Sequence, residues 1–212
     1  MTASSSTTGR ERIVQESFLL FLARGYEATS MSQIVQASRM SKGAVYHHFA
    51  SKEELFRAAI DRYFIDLARP EVASADEPLG FEEAVRRAAS AMTEGLAHLA
   101  SLGVDLTAYY RFMFLALGTH RSEVAAVLSE RLAVLTEAAE RDAAGRGVNH
   151  AGARDADSPR DLARMALTTI EGAALLAAVE DPKRVRDAVD EAVDHFLALV
   201  GRGATGPLTT HR

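Results

Sequence analysis

The residues best equipped for chemistry lie in one run, Ser41-Lys42-Gly43-Ala44-Val45-Tyr46-His47-His48-Phe49. A serine followed by free amides at a helix start can donate to a phosphate oxygen. Lys42 supplies a cation that displaces counterions condensed on a polyanion, and it can reach a guanine edge. Gly43 is poorer in a helix than alanine by about 1 kcal/mol, which makes sense where a side chain would collide with a duplex. Tyr46 and His47 add hydrogen-bond donors with flat faces. At helical period Val45 and Phe49 face inward while Lys42, Gly43, Tyr46 and His47 face out. An ordinary polar connection between two packed helices would use similar residues, so the flanking elements have to decide.

Ile13, Val14, Phe18, Leu20, Phe21 and Leu22 cluster on one side of a helix that begins near Gly9 and ends where Gly25 can adopt a left-handed conformation. Ser30-Met31-Ser32-Gln33 reads as a capping box opening a short helix that carries Met31, Ile34 and Val35. Ser38-Arg39-Met40 interrupts it, and Ser41 caps a third helix from Lys42 to about His48. A second box, Ser51-Lys52-Glu53-Glu54, starts a fourth helix running through Leu55, Phe56, Ala59, Ile60 and Phe64. Lys52 stands in its first turn, where the helix dipole disfavours a cation unless a phosphate shares the site. Two short helices joined by a brief turn between longer ones form the arrangement of a helix-turn-helix.

The chain has 212 residues, of which 48% are apolar, so it can bury a sizeable core in one or two domains. Its net charge of −5 is uneven: residues 1–64 carry eight Lys/Arg against six Asp/Glu, and the rest is acidic. The absence of cysteine excludes disulfides, thiol nucleophiles and thiolate zinc sites. No charge-free stretch approaches the ~18–20 residues that span a bilayer, and the Ser/Thr-rich start lacks a signal peptide's apolar core, so the expected location is cytoplasmic, with no membrane partner. Hairpin turns are missing and helical periods run nearly end to end, which predicts an all-α fold. After a loop from Pro70 to Pro78, helices are expected at Phe81–Leu102, Val104–Leu117 and Ser122–Ala144. A loop over Gly145–Asp157 follows, and then Ser158-Pro159 and Asp181-Pro182 each place a cap before a first-turn proline. These open the last two helices, about 159–179 and 183–200.

Residues about 10–63, above all Gly25-Tyr26-Glu27-Ala28-Thr29-Ser30, Ser41 through Phe49 and Ser51-Lys52-Glu53-Glu54-Leu55-Phe56, resemble the DNA-binding domain of TetR/AcrR-family transcriptional regulators. The resemblance implies an all-helical homodimer with an N-terminal helix-turn-helix that binds double-stranded operator DNA and a larger C-terminal helical domain for ligand binding and dimerisation. The corresponding boundaries are a disordered tail at 1–9, the DNA-binding domain at 10–55, the effector and dimerisation domain at 56–200 and a disordered tail at 201–212. By position it implies DNA contacts at Ser30, Ser41, Lys42, Gly43, Tyr46, His47 and Lys52, with His48 close behind. Where the family often has Ala-Gly-Val-Ser in the turn, this chain has Ser38-Arg39-Met40-Ser41, which sets Arg39 beside the groove, where it is expected to touch phosphate.

The C-terminal helices say less. Alanine-rich faces, including Ala166, Ala173, Ala174, Ala177 and Ala192, allow helices to approach at ~8–10 Å; by residues alone they serve a dimer or the monomer interior equally, and the resemblance implies the dimer. Tyr109-Tyr110-Arg111-Phe112-Met113-Phe114 puts large side chains all around one helix. A filled core is the more frequent meaning of such stripes, whereas the resemblance implies a cavity for a small, largely apolar effector. Met92, Leu96, Tyr110, Phe114, Met165 and Thr169 are its expected lining, with His98, Glu171 and Thr168 as polar candidates, although His98 is expected to be a buried, satisfied histidine. Glu94/His98 and Glu191/His195 lack the Glu-x-x-His spacing of di-iron bundles, and neither a zinc helix nor a Gly-rich phosphate loop occurs. No catalytic residue, metal or cofactor is therefore expected. The resulting expectation is a ligand-responsive repressor; a nonspecific architectural DNA-binding protein is the alternative, and a helical-bundle enzyme the weaker one.

Overall fold

The computed structural model describes residues 8–66, 79–119, 121–145 and 158–203. Of the expected loops and tails, residues 70–78, 146–157, 1–7 and 204–212 lie outside them; Thr8 and Gly9, expected in the first tail, cap and open the first helix, residues 201–203, expected in the last tail, end the last helix, and Gly145, expected in a loop, ends a helix. Every element among the described residues is helical. The chain divides into two compact units, one formed by Met1–Leu67 with Leu99–Val124, the other by Ala68–His98 with Ala125–Arg212.

In the first unit, α1 (Gly9–Arg24) starts with a capping box in which Thr8 accepts from the Glu11 amide while Glu11 accepts from Thr8. It buries Ile13, Val14, Ser17, Phe18, Phe21 and Leu22. Gly25 has the expected positive φ of 84°, but its ψ of 159° makes it extended rather than helical left-handed. Then come α2 (Met31–Ser38), α3 (Lys42–His48) and α4 (Lys52–Ile60), each capped by the serine named for it. The α4 helix does not continue unchanged to Phe64: its last turn widens into a π-helix over Asp61–Ile65, which keeps Ile60, Tyr63 and Phe64 all buried.

A helix from much later in the chain, α6 (Leu106–Thr119), completes this core. Phe18 stacks on Tyr63 at 4.1 Å, and Phe112 meets both Phe18 and Phe56 edge-on at 5.3 Å. Such pairs add about 0.5–1.5 kcal/mol each beyond the area they bury. Arg111 of α6 donates to the Leu22 carbonyl at 2.7 Å, satisfying one of the acceptors that the end of α1 leaves open. Of the aromatic run on α6, Tyr109, Tyr110 and Phe112 are buried and Phe114 is exposed.

The second unit holds most of α5 (Phe81–Ser101) and α7 (Arg121–Gly145), with α8 (Pro159–Glu180), a 3-10 turn (Pro182–Arg184) and α9 (Val185–Gly203). Ser158 caps α8 through the Asp161 amide, with Pro159 in the first turn as expected. The α8 stripe of Ala163, Ala166, Ile170, Ala174, Ala177 and Ala178 is buried, as are Val185, Val189, Val193 and Phe196 of α9. These buried positions are therefore consumed within the chain, while Ala173 and Ala192 are half-buried. What the two helices leave exposed is a different set, Leu176 at 62%, Val179 at 67% and Leu199 at 70% exposure. By length and composition α8 could cross a membrane, with a mean hydropathy of 1.5 in its most apolar window, a possibility that counting only charge-free stretches misses. Its Glu171, however, is ion-paired with the buried Arg131 of α7, the bond of a helix packed inside a protein unit.

Candidate nucleic-acid interface

The α3 helix is held from below by Val45 and Phe49, both essentially inaccessible, while Lys42, Gly43, Tyr46, His47 and His48 are exposed. Ser41 accepts from the Ala44 amide at 3.1 Å, so its oxygen caps the helix and its hydroxyl hydrogen remains to donate outward. A Cβ built at Gly43 would meet no atom within 4 Å. The fold itself therefore does not require glycine there. The Lys42 ammonium lies 5.8 Å from the centre of the Tyr46 ring, which is 44% exposed, and the His47 and His48 rings meet edge-on at 5.3 Å. Ser30 is exposed but occupied, its oxygen accepting from the Gln33 amide and its hydroxyl donating to Gln33 Oε1 at 3.1 Å.

The turn ahead of α3 is held by Arg39 at φ 55° and ψ 28°, the only non-glycine residue with positive φ among those described. This left-handed conformation costs an L-residue about 1–2 kcal/mol, and the arginine side chain is exposed. Beside it, the Met40 methyl group comes within 3.0 Å of where a Cβ of Gly9 would stand. At the other end of α3, the Arg10 guanidinium lies over the Phe49 ring, 5.0 Å from its centre.

Lys52 differs from its sequence-based picture. Its ammonium donates to the Tyr26 carbonyl at 2.9 Å and lies 4.2 Å from the centre of the Tyr26 ring. The cation at this helix start thus has a partner within the protein, and the dipole no longer calls for a phosphate. Burial raises the Tyr26 phenol above its usual range, with smaller contributions from Glu53 and Glu27. The expected second capping box is displaced by one residue: Ser51 accepts from the Glu54 amide at 3.1 Å, but Glu54 takes the amide of Ala50 at 2.8 Å, not that of Ser51.

The residues named for an effector divide between the units. Met92 and Leu96 on α5 and Met165 and Thr169 on α8 belong to the second, whereas Tyr110 and Phe114 on α6 belong to the first. Leu96 and Tyr110 are buried, while Phe114 and Met165 are exposed. The Thr168 and Thr169 hydroxyls bond back to the Arg164 and Met165 carbonyls at 2.8 and 2.9 Å. His98 is exposed rather than buried, because it falls on the outer face of α5 between Leu96 and Leu99. No group of three His, Asp or Glu among the described residues is placed to hold a metal ion. Sequence reasoning passed over Arg10 and Tyr26; the signal for Arg10 was the same first-turn position that drew notice to Lys52.

Comparison with known proteins gives a consistent result for this segment. The family model of bacterial regulatory proteins, tetR family, matches residues 13–59. The chain is 42% identical over 71 residues to the HTH-type transcriptional regulator TcmR of Streptomyces glaucescens, covering 32% of this chain and 30% of that one. It is 41% identical over 54 residues to the HTH-type transcriptional repressor ComR of Escherichia coli, covering 26% of each. These matches span less than a third of the relatives' own length. The fold as a whole is similar to a solved TetR/AcrR-family transcriptional regulator from Aquifex aeolicus, with a TM-score of 0.61 at 21% identity over 91% of this chain and 99% of that one.

Proposed function

We propose that the chain, whose residues 13–59 match the family model of bacterial regulatory proteins, tetR family, is a cytoplasmic, dimeric regulator of that family that binds operator DNA in a sequence-specific way and represses transcription. One observation carries this reading: α3 exposes Lys42, Gly43, Tyr46 and His47 on one side while Val45 and Phe49 anchor the other in the core. A helix of seven residues held that way is narrow enough to enter the major groove, about 12 Å wide. Lys42 would neutralise a phosphate or read guanine, Tyr46 and His47 would donate to base edges or backbone, and the bare Gly43 would let the helix approach closely. Ser41 and Arg39 are assigned to the flanking phosphates. Ser30 and Lys52 join them with less freedom, since both already have partners in the protein.

Two copies would present two such helices to successive major grooves about 34–36 Å apart. The proposed dimer forms through α8 and α9, using the exposed Leu176, Val179 and Leu199 rather than the alanine stripe. A small, largely apolar effector is proposed to release the DNA by preferring the DNA-incompetent state. Repression is carried over from relatives such as ComR.

The test begins by selecting bound sequences from a random duplex pool. Lys42→Ala and Tyr46→Ala should then abolish retention of the selected duplex in a gel shift while leaving thermal stability nearly unchanged. Retention equal to that of the unaltered protein would refute the assignment of α3. Equal affinity for selected and random duplex at matched salt would favour the architectural reading instead.

A further inference from the structure

We infer that Arg10, outside the helix-turn-helix, is an additional contact to a backbone phosphate of duplex DNA; this rests on the DNA-binding reading above. Arg10 is the second residue of α1, following the Thr8 cap and Gly9. The positive end of the helix dipole disfavours a cation there. Lys52 is in a comparable position but is satisfied by the Tyr26 carbonyl. Arg10 has no such hydrogen-bonded partner among the described residues: it is exposed, and it meets the neighbouring Glu11, which accepts from Thr8 through Oε2, only as a nearby charge.

Its position is nonetheless fixed, and fixed relative to α3. Gly9 packs against Met40, two residues before α3 begins, while Arg10 lies over Phe49, the residue on which α3 ends. The first turn of α1 therefore touches both flanks of the recognition helix. At 1.5 Å per residue α3 is only about 10 Å long, so a cation held against its end at Phe49, beneath the exposed face, is within a long side chain's reach of the phosphates that flank a groove entered by α3. The Phe49 face holds the guanidinium without using its five N–H donors. A side chain ordered in advance loses less freedom when it binds a phosphate.

The test uses a random-sequence duplex of about 30 base pairs, because a phosphate contact carries no sequence information. Binding of the full chain is followed by fluorescence anisotropy between 50 and 200 mM salt. Each phosphate contact contributes about 0.9 to the slope of log affinity against log salt. Arg10→Ala should lower the slope by about that amount per bound protomer and weaken binding several-fold, on selected and random duplex alike, whereas Arg10→Lys should keep most of the slope. An unchanged slope for Arg10→Ala would overturn the inference. So would a loss of thermal stability with DNA binding intact, since Arg10 would then serve only the end of α3. If the unaltered protein binds no duplex at all, the DNA-binding reading falls and takes this inference with it; if Lys42→Ala loses binding but Arg10→Ala does not, only the inference falls.

Discussion

Replacing Arg39 by glycine should make the protein more stable and a poorer DNA binder. Arg39 occupies φ 55°, ψ 28°, a conformation that glycine adopts freely and arginine does not. Removing the clash returns about 1–2 kcal/mol, against which the extra freedom of glycine in the unfolded chain costs about 0.5–1 kcal/mol. The balance is a gain of roughly 0.5–1 kcal/mol, or about 1–4 °C in Tm for a chain of this size. On DNA the variant loses a cation and a donor. At about 0.7 kcal/mol per contact, low in the range for a hydrogen bond, a dimer that loses it twice should bind about tenfold more weakly. Thermal unfolding and a salt-series binding assay on the same preparations give both numbers. Arg39→Ala separates the two effects, because it keeps the strained backbone while removing the side chain: it should lose the same affinity and gain no stability. A fall in Tm for Arg39→Gly would refute the strain, and unaltered affinity would refute the phosphate contact.

Two other outcomes follow from the geometry. Leu176→Glu combined with Val179→Glu, at positions already exposed within the chain, should convert the proposed dimer to a folded monomer in light scattering, and a dimer that persists would move the interface elsewhere. Glu11 and Asp105 should both titrate below their ordinary values, Glu11 because the Thr8 amide and then its hydroxyl donate to the carboxylate, Asp105 because the Thr107 hydroxyl and then the Ala108 amide do. Since the folded-state value is the lower one, their contribution is complete above the unfolded value and is lost as the pH falls through the folded value. The start of α1 should therefore fray only in acid below the ordinary glutamate value of 4.5, and that of α6 only below the ordinary aspartate value of 3.8. A carboxyl NMR titration placing Glu11 at or above 4.5 would contradict the capping box.

The features legible in the sequence are those whose partners lie within about one helical turn. Ser30 finds Gln33, Ser41 finds Ala44 and Ser158 finds Asp161, all at a separation of three residues. The inward and outward faces of α3 follow from the helical period alone. The displaced box at Ser51 marks the limit of such reading, since the Ala50 and Ser51 amides are nearly equivalent targets for the Glu54 carboxylate and only the entry angle of the chain chooses. Contacts across long separations carried no local signal. Arg111 reaches Leu22 across 89 positions and Arg131 reaches Glu171 across 40. The alanine stripe of α8 suited an intrachain or an intermolecular neighbour equally, because small residues state only that something comes close.

Lys52 and Arg10 show how far electrostatics can be read from a sequence. Both are cations in the first turn of a helix, where the dipole works against them, and in both cases a missing anion is a reasonable inference. For Lys52 the missing acceptor is the carbonyl of Tyr26, 26 residues away and brought close by the turn after α1. For Arg10 the packing supplies an aromatic face but, among the described residues, no acceptor. A misplaced charge thus says that a partner exists, and only the fold says whether the protein contains it. Where the fold, among the described residues, offers Arg10 a ring and no oxygen, beside a helix that exposes Lys42, Tyr46 and His47, a backbone phosphate of duplex DNA is the acceptor proposed for it.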